Sequence, residues 1–197
     1  MRIRLLLAVT AALTADGTLA SPLEDGIAAY ERYDFSQARD ALAPVAAQGS
    51  AKAQAILGSM YMRGQGVPLN AMVAAGWLQR AAEQGNMAAQ SNLGRLYFHG
   101  RGVRRNYAEA ARWFRSAALQ GDVSAQACLA GLYAIGEGVE RDYVLAHVWY
   151  SRAVTAANNE FDVSSLRELE KKMTPEQREA AARLLRDGTA RDAFRKP

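Results

Sequence analysis

The sequence contains a single cysteine, Cys128, among 197 residues. One thiol cannot close an internal disulfide, so packing alone must hold the fold together. Histidine is also scarce, and neither His99 nor His147 lies in an HExxH pattern or another metal-ligand spacing. The chain has no G-x-S-x-G nucleophile motif and no Walker A motif. We therefore expect a non-enzymatic protein with no cofactor, no metal and no catalytic residues.

Long apolar runs are missing except near the N-terminus. Arg2 and Arg4 precede a nine-residue apolar run, Leu5–Leu13, and small residues end the segment at Ala20. A membrane-spanning helix needs about 20 apolar residues, so this run is too short to be one. The pattern is typical of a secretory signal peptide, residues 1–20, cleaved before Ser21. The sequence thus predicts a periplasmic or secreted protein without membrane insertion.

What the sequence does have is a repeat of 36 residues. Windows 49–84, 85–120 and 121–156 align without gaps, and eleven positions are identical in all three. The positions expected to build the scaffold are Ala53, Leu57, Tyr61, Gly64, Gly66 and Trp77, then Ala89, Leu93, Tyr97, Gly100, Gly102 and Trp113, then Ala125, Leu129, Tyr133, Gly136, Gly138 and Trp149. A fixed period of this length indicates stacked structural units.

Each repeat predicts two helices. In the first unit, Ala53, Leu57 and Tyr61 share one helical face, and Ala74, Trp77 and Ala81 share another. The expected N-caps are Ser50, Asn86 and Asp122 for the first helices and Asn70, Asn106 and Asp142 for the second. In each G-x-G pair, the first glycine suits a helix C-cap, and the second allows a positive φ or a close backbone approach.

The motif "AQ..LG.LY..G.GV", followed by "A..W...AA..G", resembles the Sel1-like repeat (SLR) family, a relative of the tetratricopeptide repeat. The resemblance implies an all-α solenoid of stacked helix-turn-helix units with a right-handed superhelix. It also implies an adaptor or regulator of the bacterial envelope that binds a partner protein. The third unit departs from the motif at Ala130 and at Ala156–Asn158, which is typical of a terminal unit.

Both ends of the chain predict capping elements. Residues 21–48 suggest a divergent helix pair, with Asp34 or Ser36 as a cap and Pro44 disturbing the second helix. Residues 121–157 form the third unit, and residues 158–197 suggest C-terminal capping helices with a frayed end. Within that tail, "SSLRELEKKM" (164–173) predicts a short helix, and Thr174 begins a capping box that precedes a helix stopped by Gly188.

Charge is unevenly distributed along the array. Residues 85–120 carry six arginines against one glutamate, a net charge of +5, whereas residues 21–48 and 121–157 carry −3 and −2. This pattern favours a partner with an acidic surface, although a solvated surface explains it too. Candidate partner-binding residues are Arg63, Ser91, Arg95, His99, Arg101, Arg104 and Arg105. Nucleic acid is not expected, because the aromatics belong to the repeat core and the protein carries an export signal.

Two other functions stay open. A peptidoglycan or carbohydrate binder would use exposed aromatics such as Phe98 and Tyr107. A cell-wall or β-lactam hydrolase is the role linked to some cysteine-rich secreted members of the resembled family, but those have many disulfides and this chain has none. His147 replaces an alanine of the other units, and Cys128 lacks an evident base, so we expect both to be structural.

Overall fold

The computed structural model of the protein describes residues 21–157 and 160–187. The predicted signal peptide (1–20), the predicted stop at Gly188 and the predicted frayed end (189–197) lie outside the described residues. Within the described part of the chain, no helix has both the length and the apolarity to cross a membrane.

All regular structure in the described residues is helical, which confirms the all-α prediction. The helices are α1 (Pro22–Glu31), α2 (Phe35–Ala47), α3 (Ala51–Arg63), α4 (Ala71–Glu83), α5 (Met87–His99), α6 (Tyr107–Leu119), α7 (Val123–Ile135), α8 (Tyr143–Ala157), α9 (Glu160–Glu170) and α10 (Pro175–Arg186).

The helices pack in chain order as a solenoid, as predicted. The pairs α3–α4, α5–α6 and α7–α8 form the three units, and the second helix of each unit packs on the first helix of the next. The first helices also contact one another, α3 against α5 and α5 against α7. These direct contacts place α3, α5 and α7 along the inner side of the array, where they form a shared surface.

The predicted helix caps are confirmed at all six positions. Ser50, Asn86 and Asp122 each accept a hydrogen bond from the backbone N–H three residues later. On the second helices, Asn70, Asn106 and Asp142 accept from two N–H groups each. Because a cap satisfies otherwise unpaired N–H groups, these side chains fix where each helix begins.

The second glycine of the G-x-G pairs has the positive φ and makes the close backbone approach that the sequence suggested. Gly102 has a φ of 70°, and a Cβ placed there would lie 2.2 Å from the backbone of Ala71 in the preceding unit. Gly138 makes the same approach to the backbone of Tyr107. The loop of one unit therefore rests directly on the start of the second helix of the unit before it, and glycine is what permits that contact.

The repeat tryptophans become more buried toward the C-terminus. Trp77 is half-buried, Trp113 is 4% exposed and Trp149 is fully buried. Trp149 belongs to a cluster that also contains Leu169 of α9 and Ala181 of α10. The prediction that the repeat tryptophans lie in the core is therefore confirmed for Trp113 and Trp149, whereas Trp77 is only half-buried. Trp149 is the most buried of the three because the C-terminal helices pack against its unit.

The ends of the chain differ from expectation in detail. Asp34, not Ser36, caps α2 by accepting from the backbone N–H of Gln37. Pro44 does not break α2, because it lies on the exposed side, where the carbonyl that loses its helical partner can bond to water.

Helix α9 begins at Glu160, before the predicted start at Ser164. The capping box of Thr174 and Gln177 is confirmed.

A ladder of buried glutamines joins the units. Gln54, Gln90 and Gln126 each donate to a carbonyl oxygen of the preceding helix, at Ala46, Ala82 and Ala118. In the first two units a second glutamine donates to the ladder side chain, Gln84 to Gln54 at 2.8 Å and Gln120 to Gln90 at 2.7 Å. These bonds connect the end of one unit to its own first helix.

The ladder is incomplete in the third unit. Ala156 occupies the position of Gln84 and Gln120, and the buried Oε1 of Gln126 has no hydrogen-bond partner in the part of the chain that the structure describes. A buried acceptor without a donor costs about 1–3 kcal/mol. The sequence drift at Ala156 therefore leaves a specific defect in the core of the last unit.

Replacing Ala156 by glutamine is expected to raise the free energy of unfolding by about 1 kcal/mol, because the new amide can donate to Gln126. Urea unfolding followed by circular dichroism measures the change. Ala157→Gln is the matched control, since it adds the same side chain at the neighbouring exposed position. Equal effects of the two substitutions would show that the ladder does not explain the gain.

Candidate functional site

A cleft of about 710 Å³ opens on the inner side of the array between α3 and α5. We call it the basic cleft, and it is lined by Met62, Arg63, Leu69, Ala71, Arg95, Leu96, His99 and Arg101. The cleft brings together four of the seven residues proposed from sequence, namely Arg63, Arg95, His99 and Arg101. Arg63 and His99 occupy equivalent positions at the ends of α3 and α5, which explains why they face the same space.

The basic cleft has no compensating negative charge. Among the residues that the structure describes, no Asp or Glu lines it, and neither Arg95 nor Arg101 forms an ion pair. Arg63 contributes one long hydrogen bond, from Nη1 to the hydroxyl of Tyr30 at 3.4 Å. Apolar side chains from Met62, Leu69 and Leu96 complete the lining, so the cleft offers cationic groups beside a hydrophobic wall.

Two further predicted residues lie in a separate cleft. Arg104 and Arg105 line a space of about 670 Å³ with Tyr97, Val103, Asn106 and Glu109, which we call the loop cleft. Here a carboxylate is present, and Glu109 pairs with Arg112 at 2.7 Å. Arg105 also stacks over the ring of Tyr107 at 5.4 Å. The loop cleft is therefore less cationic than the basic cleft and does not join the same site.

Ser91 is not part of the accessible surface, which corrects its prediction as a binding residue. Its side chain is buried, and its hydroxyl donates to Asp122 Oδ1 at 3.0 Å. Asp122 is also the N-cap of α7, so Ser91 supports the start of the next unit. Helical periodicity places Ser91 on the inner face, but the following unit covers that part of the face.

An apolar recess of about 260 Å³ lies next to the basic cleft, between α5 and α7. Its lining consists of Phe98, Ala127, Cys128, Gly131, Leu132, Ile135, Tyr150 and Phe161. The two spaces meet along α5, where Phe98 of the recess and His99 of the cleft have ring centroids 5.0 Å apart. Of its lining residues, the sequence analysis named only Phe98 for binding, as an aromatic that could contact a sugar.

Two titratable groups in the recess, Cys128 and Tyr150, are largely shielded from water. Burial raises the pKa of the Cys128 thiol, and the guanidinium of nearby Arg95 opposes this only in part. Burial raises the pKa of Tyr150 as well, against a hydrogen bond with Ser165. Both groups therefore stay neutral at neutral pH. Cys128 is not an activated nucleophile, because such a thiol needs a lowered pKa.

His147 has partners that the sequence pattern does not indicate. Its Nε2 lies 3.1 Å from Glu170 Oε1, and its Nδ1 lies 3.3 Å from the hydroxyl of Ser151. Ser151 sits within α8, where its backbone N–H is engaged in the helix and cannot stabilise an oxyanion. Since Arg178 also donates to the carbonyl oxygen of Glu170, the group ties α8, α9 and α10 together.

The aromatics proposed for sugar binding do not form an exposed platform. Phe98 and Tyr107 are both half-buried, and their ring centroids are 5.3 Å apart in an edge-to-face contact. Phe98 also packs against Phe114, at 6.5 Å between centroids. The faces that would stack on a sugar are thus partly used within the protein.

Comparison with known proteins agrees with the geometry. A family model described as Sel1 repeat matches residues 51–86, 88–122 and 123–158. A protective antigen of uropathogenic Escherichia coli that displays an SLR fold is 40% identical, with a TM-score of 0.68, and the match covers 74% of this chain and 32% of that one. A Sel1 repeat protein from Oxalobacter formigenes is 36% identical, with a TM-score of 0.67, over 72% of this chain and 58% of that one.

No curated protein matches the chain. The chain spans about a third of the length of the Escherichia coli antigen and just over half of the Oxalobacter protein. The family model alone accounts for more than half of the residues, in three consecutive copies that coincide with the helix pairs α3–α4, α5–α6 and α7–α8. The chain therefore belongs to the Sel1 repeat family.

Proposed function

We propose that the protein is an exported scaffold of the bacterial cell envelope that binds an acidic surface of a partner protein in the basic cleft. Sel1 repeat proteins are generally non-catalytic scaffolds for protein–protein interaction. The inner surface of a solenoid is extended and built from adjacent units, which suits it to a protein partner. A surface that binds a partner protein in this way suits an adaptor or a regulator.

The observation that carries the proposal is the uncompensated charge of the cleft. Arg63, Arg95 and Arg101 line one space, and no described residue of its lining carries a carboxylate. Like charges held close together repel one another, and an acidic group that enters removes this repulsion while gaining charge-assisted hydrogen bonds. The loop cleft supports the proposal less well, because Glu109 already lies in it.

Export is the second part of the proposal. Cleavage after Ala20 would make Ser21 the first residue, and its nitrogen lies 2.9 Å from Glu24 Oε2. Hydrogen bonds from the backbone and side chain of Ser21 lower the pKa of Glu24, so that carboxylate stays ionised beside the new amino group. Periplasmic fractionation with N-terminal sequencing tests this, and an uncleaved cytoplasmic product would contradict it.

Charge reversal in the basic cleft is expected to weaken binding of an acidic peptide. The probe is a fluorescent, blocked peptide of alternating Asp and Ser, followed by anisotropy at low salt. Arg95→Glu with Arg101→Glu should raise its Kd by more than about tenfold, since two attractive contacts become repulsive. Added salt should weaken wild-type binding, because part of the attraction is screened.

Two variants with the same charge change serve as controls. Arg104→Glu with Arg105→Glu alters the loop cleft, and Lys52→Glu with Arg167→Glu alters exposed positions outside both clefts. Each should change the Kd by no more than about twofold. Equal losses in all three variants would mean that net charge alone attracts the peptide, and the proposed site would be wrong.

A further inference from the structure

We propose that the basic cleft and the apolar recess together form one two-part site, which takes an extended acidic segment of another protein carrying one large apolar side chain. The inference rests on the proposed function, because it names the chemistry of the partner at that same surface. The acidic group enters between α3 and α5, and the apolar group enters between α5 and α7.

The recess has the features of an anchor pocket for a side chain. Two large apolar residues at its edge stay exposed to solvent, Ile135 at 59% and Phe161 at 76%. Adjacent exposed apolar side chains around a concave surface mark interaction sites rather than ordinary surface. Its volume of about 260 Å³ lies below the range of small-molecule pockets, and suits a single aromatic or leucine side chain.

The two parts are close enough for one short segment to reach both. Phe98 and His99 are neighbours on α5 and face the recess and the basic cleft respectively. Packed helices lie about 8–10 Å apart, so the spaces on either side of α5 are about one such distance apart. An extended chain advances about 3.3 Å per residue, which places the acidic and apolar side chains about three residues apart.

A polar group on the side of α5 that faces α3 favours an extended segment. Asn92 lies one turn before Arg95 and Leu96 on α5, and its Nδ2 donates to Ser59 at 3.3 Å. Its amide oxygen accepts no hydrogen bond from the described residues, so it can accept one from a backbone N–H of the segment. An extended segment offers free N–H groups, whereas a helix uses its own internally.

Cys128 provides a reporter for the recess. It is the only cysteine in the chain and lines the recess at intermediate exposure, so a thiol reagent can report on this place alone. The test measures its alkylation by iodoacetamide at alkaline pH, because burial raises the pKa of the thiol and the thiolate is the reactive form. The full chain is used throughout.

The probes are blocked Gly-Ser peptides that carry an Asp-Asp pair, one Phe, or both at a spacing of three residues in either order. In at least one order, the peptide with both groups should bind at least about tenfold more tightly than the peptide with Asp-Asp alone. At about ten times its Kd it should slow alkylation of Cys128 about tenfold, in proportion to occupancy. The Asp-Asp peptide should slow alkylation far less, because it offsets the charge of Arg95 without covering the thiol.

Variants separate the two parts of the site. Ile135→Asp should abolish the advantage of Phe and keep binding of the Asp-Asp peptide, whereas Arg95→Glu with Arg101→Glu should weaken both peptides. Met87→Asp, an exposed apolar residue at the other end of α5, is the matched control and should change neither.

The outcomes distinguish this inference from the proposed function. If Phe adds no affinity in either order, or if alkylation of Cys128 is unaffected by the bound peptide, the two-part site is wrong while the basic cleft stands. If Phe alone binds as tightly as both groups together, the recess acts independently and the inference again fails. If no acidic peptide binds at all, both proposals fail.

Discussion

Replacing Gly102 by alanine is expected to lower the free energy of unfolding by about 3–5 kcal/mol. Two costs combine at this position. The φ of 70° is one that L side chains rarely adopt, and the added Cβ would lie 2.2 Å from the carbonyl carbon and oxygen of Ala71. Backbone cannot move aside as a flexible side chain can, so the contact between the first and second units has to open.

Substitutions at two other glycines distinguish the backbone strain from the steric clash. Gly121 has a φ of 101° with open space around it, so Gly121→Ala should cost only the backbone strain, about 1–2 kcal/mol. Gly76 lies within α4 with nothing near its Cβ position, and Gly76→Ala should stabilise by about 0.5–1 kcal/mol. Urea unfolding of the three variants gives the comparison. A loss at Gly102 no larger than at Gly121 would show that the units do not meet through this loop.

Replacing Trp149 by alanine is expected to cost about 3–5 kcal/mol, because the ring is fully buried and the cavity cannot close completely. Trp149 belongs to a core cluster that also contains Leu129 of its own unit, Leu169 of α9 and Ala181 of α10, and its helix α8 packs against α7, α9 and α10. Loss of the ring therefore removes contacts that hold the C-terminal helices against the last unit. Since contacts in a solenoid are local, the N-terminal units should keep much of their structure.

The equivalent tryptophan of the first unit is the internal control. Trp77 is half-buried, with Arg80 over its ring at 5.1 Å, so Trp77→Ala should cost about 1–2 kcal/mol. Circular dichroism during urea unfolding measures both variants, and hydrogen exchange locates the loss. Equal costs for the two substitutions would contradict the gradient of burial along the array.

Local patterns predicted most of the fold because the signals that set helix bounds are local. The polar caps Ser50 and Asn70 and the stop at Gly64 act within one turn of the chain, and the structure uses each of them. The expectation that Pro44 would disturb α2 does not hold, for a physical reason. Its effect on a helix depends on whether the freed carbonyl meets water, and the sequence of one helix does not show which side is exposed.

The proposed binding surface was only partly predictable from the sequence. Counting charges identified Arg95 and Arg101, because an excess of arginine over acidic residues is visible in a sequence, whereas helical periodicity suggested Ser91, which the next unit buries. The sequence analysis named Phe98 for sugar binding but did not predict the recess, because Phe98, Ile135 and Phe161 come from three different helices. Such a site exists only once α5, α7 and α9 are packed together.

The glutamine ladder was less predictable from the sequence than the helix bounds and more predictable than the recess. Gln54 and its equivalents are identical in all units, and Gln84 recurs at Gln120. That recurrence was a usable sign of pairing, as was the substitution of Ala156 at the same position. Only the packed structure shows that these glutamines are hydrogen-bonded to each other, because the two members of each pair lie 30 residues apart in the chain.

The most direct test of the account is photo-crosslinking in intact cells with benzoylphenylalanine placed at His99, in the basic cleft, or at Gln79, on the outer helix α4. We expect a discrete crosslinked protein from position 99 that disappears in the Arg95→Glu, Arg101→Glu background, and none from position 79. Crosslinks of equal strength from both positions, or a product at position 99 that survives charge reversal, would contradict a partner bound in the cleft.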